Sequence, residues 1–89
     1  MAQAVCDPDD LQDFTNHLRR FMDLLNDEVN SLNGHFRQLG GTWDDPQYWK
    51  FEGILQELEA FLKRFDTEAE EQERWLRRKE EEIRTYLGR

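Results

Sequence analysis

Residues 38–51 read QLGGTWDDPQYWKF, and the fold turns on them. Gly40 and Gly41 stop any helix that arrives from the N-terminal side, because glycine enters the left-handed cap conformation freely. Asp45 followed by Pro46 starts a second helix. The carboxylate can accept an unsatisfied amide of the first turn, and proline is harmless where no helical N–H is needed. Only about six residues, Gly40 to Asp45, separate the two signals. A link that short makes the flanking helices antiparallel neighbours. Trp43, Tyr48, Trp49 and Phe51 crowd into the same segment. Trp43 lies four residues after Leu39, so it is expected to fold over the tip and pack on Phe36, Tyr48 or Phe51.

Working outward, CDPDDLQDF (6–14) repeats the same opening device. Asp7 caps, Pro8 takes the first helical position, and Asp9, Asp10 and Asp13 set negative charge at the positive end of the helix dipole. Leu11, Leu18, Leu25, Leu32 and Leu39 then recur every seven residues. That spacing marks a left-handed helix–helix seam. The expected first helix spans about 8–39, roughly 48 Å at 1.5 Å per residue. On the other side, Leu55, Leu62, Ala69, Leu76 and Ile83 form one heptad row that Tyr48 extends, and Phe51, Leu58 and Phe65 form another. Ile54 and Phe61 widen the face. The expected second helix spans about 46–87. Beyond Phe65 it is mostly charge, with Glu70–Arg74, Glu73–Arg77 and Glu80–Arg84 among several pairs four apart that favour a solvated helix.

The fold class is therefore all-α: an antiparallel, coiled-coil-like two-helix hairpin in one domain. The chain has 89 residues, and a single core of that size is marginal. The apolar arc is also wider than one partner helix covers. Both points lead to an expectation that hairpins pair into a four-helix bundle, as a homodimer or with another helical-hairpin protein. Candidate interface residues are Met22 beside the leucine row, Trp49 and Gly53 on a second row of the second helix, and Leu76, Ile83, Tyr86 and Leu87 near its end. With the turn centred near Thr42, Leu11 falls near Arg74 or Trp75. The segment from Leu76 to Leu87 is then expected to overhang and to dock on a partner.

Charge excludes some classes. Acids outnumber bases 20 to 12, a net charge of -8, opposite to what a phosphate backbone or an anionic membrane surface attracts. No stretch is long and apolar enough for a membrane span. Cys6 is the only cysteine, so no intrachain disulfide is expected. MAQAVCDPDD has no basic region and no apolar run, which leaves a cytoplasmic location or secretion without a cleavable signal peptide. Catalysis is not expected. His17 and His35 lie about 27 Å apart by helix rise, too far to share a metal. No Glu-x-x-His pair and no phosphate-binding glycine loop occurs. Asp9-Asp10 and Asp44-Asp45 read as helix starts rather than calcium ligands. No cofactor, metal or small-molecule substrate is expected.

A hairpin of this length with a tryptophan in its turn resembles the Trp-x-Gly (WXG) family, small helical proteins of the early-secreted-antigen type associated with type VII secretion. It is also similar to bacterial relatives carrying LGGTWDD turns followed by an aromatic, as Trp43 is followed here by Phe51. The turn motif comprises Gly40, Gly41, Trp43, Asp45, Pro46 and Phe51. Asp45 stands where the family has glycine. Only Leu87, Gly88 and Arg89 follow Tyr86, so the family's export pattern of tyrosine, three residues and an acid does not fit there. YWKFE (48–52) has that spacing. The resemblance implies a non-enzymatic interaction protein acting as a secreted effector, adaptor or chaperone-like partner through a dimeric bundle. The alternative is a structural coiled-coil part of a larger intracellular or secretion/injection assembly, not itself exported.

Overall fold

The structure is a computed structural model and describes residues 6–88. The expectations for the N-terminal segment 1–5 lie outside the described residues. Two helices, α1 (Pro8–Leu39) and α2 (Pro46–Leu87), pack side by side as an antiparallel hairpin. The rod measures 64 × 21 × 14 Å. Each helix starts at its Asp-Pro pair. The Asp7 carboxylate accepts from the Asp9 amide at 2.9 Å, and that of Asp45 from the Gln47 amide at 2.8 Å.

The end of α1 differs from the expected glycine cap. Gly40 stays right-handed, at φ -60° and ψ -19°. The only positive-φ residue among those described is Gly88, which caps α2 at φ 74°. Helix-like bonding instead runs on past Leu39. The Gly40 amide donates to Phe36 O at 3.1 Å, and the Thr42 and Trp43 amides both donate to Leu39 O at 3.0 Å. Gly40 is needed for space. A Cβ built there would overlap the Tyr48 phenol, 2.8 Å from its Cζ.

The extra turn resets the register. Because α1 effectively climbs to Trp43 before the chain reverses, its far end reaches deeper along α2. The Arg84 guanidinium bonds Asp9 at 3.0 Å and the Pro8 carbonyl at 3.3 Å. The expected overhang from Leu76 to Leu87 is thus incorrect. Leu76 and Ile83 lie in the seam, half-buried, and only the last residues of α2, with Tyr86 and Leu87, run past the start of α1.

The seam also uses a different row of α1 from the leucines. Pro8, Thr15, Met22, Val29 and Phe36 face Tyr48, Leu55, Leu62, Ala69, Leu76 and Ile83, each set spaced by seven. Pro8, Thr15 and Met22 are fully buried, as are Tyr48, Leu55, Leu62 and Ala69 in all but small measure. The Thr15 hydroxyl donates to Leu11 O at 2.8 Å, so its burial strands no polar group. The leucine row lies on the flank of this seam. Centring it would swing Arg19 and Asn33 away from Glu73 and Glu59, to which they are bonded at 3.2 and 2.7 Å. Those cross-helix bonds fit the observed rotation of α1.

Candidate interaction surface

The seven-residue repeat leaves each helix with two flanking rows, and antiparallel packing brings like flanks together. The hairpin therefore has two edges, and they are dressed oppositely.

One edge is a polar ladder. Arg19, Asn26 and Asn33 of α1 oppose Glu73, Asp66 and Glu59 of α2 at heptad intervals. Glu73 bonds both Arg19, at 3.2 Å, and Arg77, at 3.0 Å. Arg77 continues to Asn16 Oδ1 at 3.4 Å. At the far end Arg84 is gripped by Glu80 at 2.9 Å and Asp9 at 3.0 Å. The hydrogen bonds from Glu80 and then Asp9 hold its guanidinium above the usual arginine value. One rung is left open. Asn26 turns its amide to Met22 O at 2.8 Å, and Asp66 Oδ1 is buried with no partner in the protein. It borders a small groove of about 130 Å³ shared with Asn30, Asn33 and Lys63.

The other edge is apolar. Leu18, Leu25, Leu32 and Leu39 of α1 and Phe51, Leu58 and Phe65 of α2 flank the seam there. Phe14, Phe21, Ile54, Phe61 and Trp75 stand one row further out. Phe21 and Phe65 cross edge to face, with centroids 6.3 Å apart, which ties the two helices together on this side. Most of these side chains still face outward: Phe14 is 58% and Phe61 56% exposed. Within this stretch the two rows hold only two charges, Glu28 and Glu68. Contiguous exposed apolar surface on this scale is uncommon on monomeric soluble proteins.

At the tip, Tyr48 is the hub. Its ring stacks on Phe36 at 4.4 Å and meets Trp43 and Trp49 edge-on at 5.6 and 5.0 Å. Phe51 joins through Phe36 at 5.7 Å. Trp43 is half-buried against this cluster. Of the turn motif, Gly40 and Trp43 meet at Tyr48, and Phe51 joins them through Phe36.

The candidate interface residues are scattered. Met22 offers no surface, at 0% exposure, because its row is the seam itself. Leu76 and Ile83 face α1. Trp49 stands out on the polar side, 62% exposed, and a Cβ at Gly53 would meet nothing within 4 Å. Tyr86, 77% exposed, and Leu87 lie at the far end. The sequence reading missed the apolar edge as a unit. Its signal was the row Phe14–Phe21 on α1 and Ile54–Phe61–Trp75 on α2, each one position outside the leucine and phenylalanine rows.

Among the described residues, no helix is long and apolar enough to cross a membrane, and no group of three or more His, Cys, Asp or Glu is placed to hold a metal ion. No family model matches the chain, and no curated protein is detectably similar to it.

Proposed function

We propose that the chain is a non-enzymatic protein–protein interaction module that works through the apolar edge of its hairpin, in the manner implied by its resemblance to WXG-like proteins: a secreted effector, adaptor or chaperone-like partner. The observation that carries this reading is the unequal dressing of the two edges. The polar ladder pairs Arg19 with Glu73 and Asn33 with Glu59 within the hairpin, while the opposite edge presents half-exposed phenylalanines and leucines to solvent. A hairpin that needed only to fold would bury these side chains more fully, since Phe14, Ile54 and Phe61 leave more than half their surface exposed.

The test is a photo-reactive phenylalanine analogue placed at Phe61, with Lys63 on the polar side as control, in the cells that make the protein. Crosslinks from Phe61 to another polypeptide, whether a copy or a different chain, support the reading. No crosslink from Phe61, or crosslinks equally frequent from Lys63, overturns it. The 64 Å rod and the charge-laced far half of α2 support a second reading, a structural part of a larger assembly that is not exported. Measuring the protein in medium against the cell fraction separates the two. Accumulation in medium favours the effector or adaptor, and retention in a large particle favours the structural part.

A further inference from the structure

We infer that the open rung of the polar edge, at Asp66, is a subsite for an arginine side chain supplied by another polypeptide. The inference makes no use of the apolar edge and stands or falls apart from it.

The ladder itself shows what such a position takes. Glu52, Glu59, Asp66, Glu73 and Glu80 place one acid at every seventh residue along this side of α2. Toward the far end the chain supplies the counter-ion. Glu73 holds the guanidinium of Arg19, opposite it on α1, at 3.2 Å, and that of Arg77, four residues on, at 3.0 Å. Glu80 holds Arg84, again four residues on, at 2.9 Å. Around Asp66 the same two positions are Asn26 and Glu70. Neither brings a positive charge. Nearer the tip, Glu59 is met by the Asn33 amide at 2.7 Å. Asp66 Oδ1 is thus the one carboxylate oxygen among the described residues that is buried without a hydrogen-bond partner. A buried acceptor without a donor is costly, and more so when charged, so a donor arriving there is favoured.

The surroundings ask for a donor with many N–H groups and a positive charge. Asn26 gives its amide to Met22 O at 2.8 Å, and Asn33 gives its amide to Glu59. Those bonds fix which end of each side chain is nitrogen, and both side-chain carbonyls are left without a donor among the described residues. The groove beside Asp66, about 130 Å³, shares Asn30, Asn33 and Glu59 with a second groove of about 420 Å³ that runs on to Glu52 and Gln56. A guanidinium has five donors in one plane and no acceptor, and it pairs with a carboxylate through two parallel bonds. An ammonium is a point charge without that fork. Lys63 and Arg37 border the two grooves but form no ion pair among the described residues. The second groove gives the backbone that carries the arginine a path along the edge. The rung holds one side chain where the apolar edge presents rows of them, so crosslinks from Lys63 in cells remain fewer than those from Phe61.

The experiment titrates the full chain with a Gly-Arg-Gly tripeptide blocked at both ends and follows the side-chain amide signals of Asn26 and Asn33 by NMR. Both should shift. The matching lysine tripeptide should bind more weakly, as should free arginine, whose carboxylate would meet Glu59. Asp66→Asn should weaken binding about 10-fold or more, the scale of one charge-assisted bond, with helical circular dichroism retained. Asn26→Arg should place in the rung the guanidinium that Arg19 gives to Glu73, raising the Tm and blocking the tripeptide. That variant keeps the test alive if Asp66→Asn fails to fold. Glu57→Gln, at an exposed acid away from the ladder, should leave binding unchanged. No shift in the native chain overturns the inference and leaves the rung to water. Unchanged binding by Asp66→Asn or Asn26→Arg overturns it, and an equal loss with Glu57→Gln reduces it to diffuse attraction by the net charge of -8. Lys63→Ala lowering the Tm as much as Glu73→Gln would show Lys63 filling the rung, which also overturns it. Free arginine binding as tightly as the tripeptide overturns the polypeptide source.

Discussion

Arg84 and Asp9 meet at 3.0 Å, joining the last turns of α2 to the first turn of α1. The contact means that nearly all of α2 has α1 beside it. Removing the end of α2 therefore removes part of the hairpin's own seam. A chain truncated after Trp75 should lose Leu76 and Ile83 from under Thr15 and Pro8. The exposed start of α1 should fray, with helical circular dichroism falling by more than the deleted residues account for and a clearly lower Tm. Thermal melting followed at the helix band is the measurement. A truncated chain that melts like the full one would show that these seam contacts contribute nothing.

Gly40 is held by space rather than by backbone angle. Alanine is the better helix former by roughly 0.5–1 kcal/mol, and the right-handed backbone at Gly40 would accept it. The Tyr48 phenol would not, since Phe36 and Trp43 hold that ring on two sides. Gly40→Ala should destabilise by about 1–3 kcal/mol through overpacking. Gly40→Ala in a Tyr48→Leu background should become neutral or stabilising. Chemical denaturation of the four proteins in this cycle checks both statements.

The aromatic tip depends on Tyr48 more than on Trp43. Trp43 is only half-buried, so Trp43→Ala should cost about 1–2 kcal/mol, well under the about 3–5 kcal/mol of a fully buried aromatic. Tyr48→Ala removes the ring shared by Phe36, Trp43 and Trp49 and should cost about 3–4 kcal/mol. The order of the two losses in urea denaturation is the decisive result, and equal losses would contradict the hub geometry.

The open rung of the ladder offers a stabilising change. Asp66 buries Oδ1 without a protein partner, while Asn26 donates elsewhere. Asp66→Asn removes the charge and lets an amide face Asn26 across the groove. It should stabilise by about 0.5–1 kcal/mol, the scale of one net hydrogen bond. Glu73→Gln breaks the pairing with Arg19 and Arg77 and should act in the opposite direction. Tm values for the two variants, compared at one salt concentration, give the signs.

What the sequence by itself determined is what depends on neighbours along the chain. Asp7-Pro8 and Asp45-Pro46 start the helices because a cap and a proline act within one turn. Seven-residue spacing makes both helices amphipathic, and a short link makes them antiparallel. The row Tyr48–Leu55–Leu62–Ala69 was legible as the inner face of α2 for the same reason. The tertiary structure decided the rest, because those choices compare contacts across the hairpin. Hydrophobicity alone favours the leucine row of α1 as the seam. In the folded hairpin Met22 and Thr15 face inward and the leucines flank, a rotation that also lets Arg19 reach Glu73 and Asn33 reach Glu59. Gly40-Gly41 reads as a stop, yet the bonding to Leu39 O carries the turn on to Trp43 and shifts the register until Asp9 reaches Arg84. Side-chain spacing shows which residues share a face. Only the rotation and sliding of one helix against the other decides which face is spent on the seam and which is left apolar and exposed.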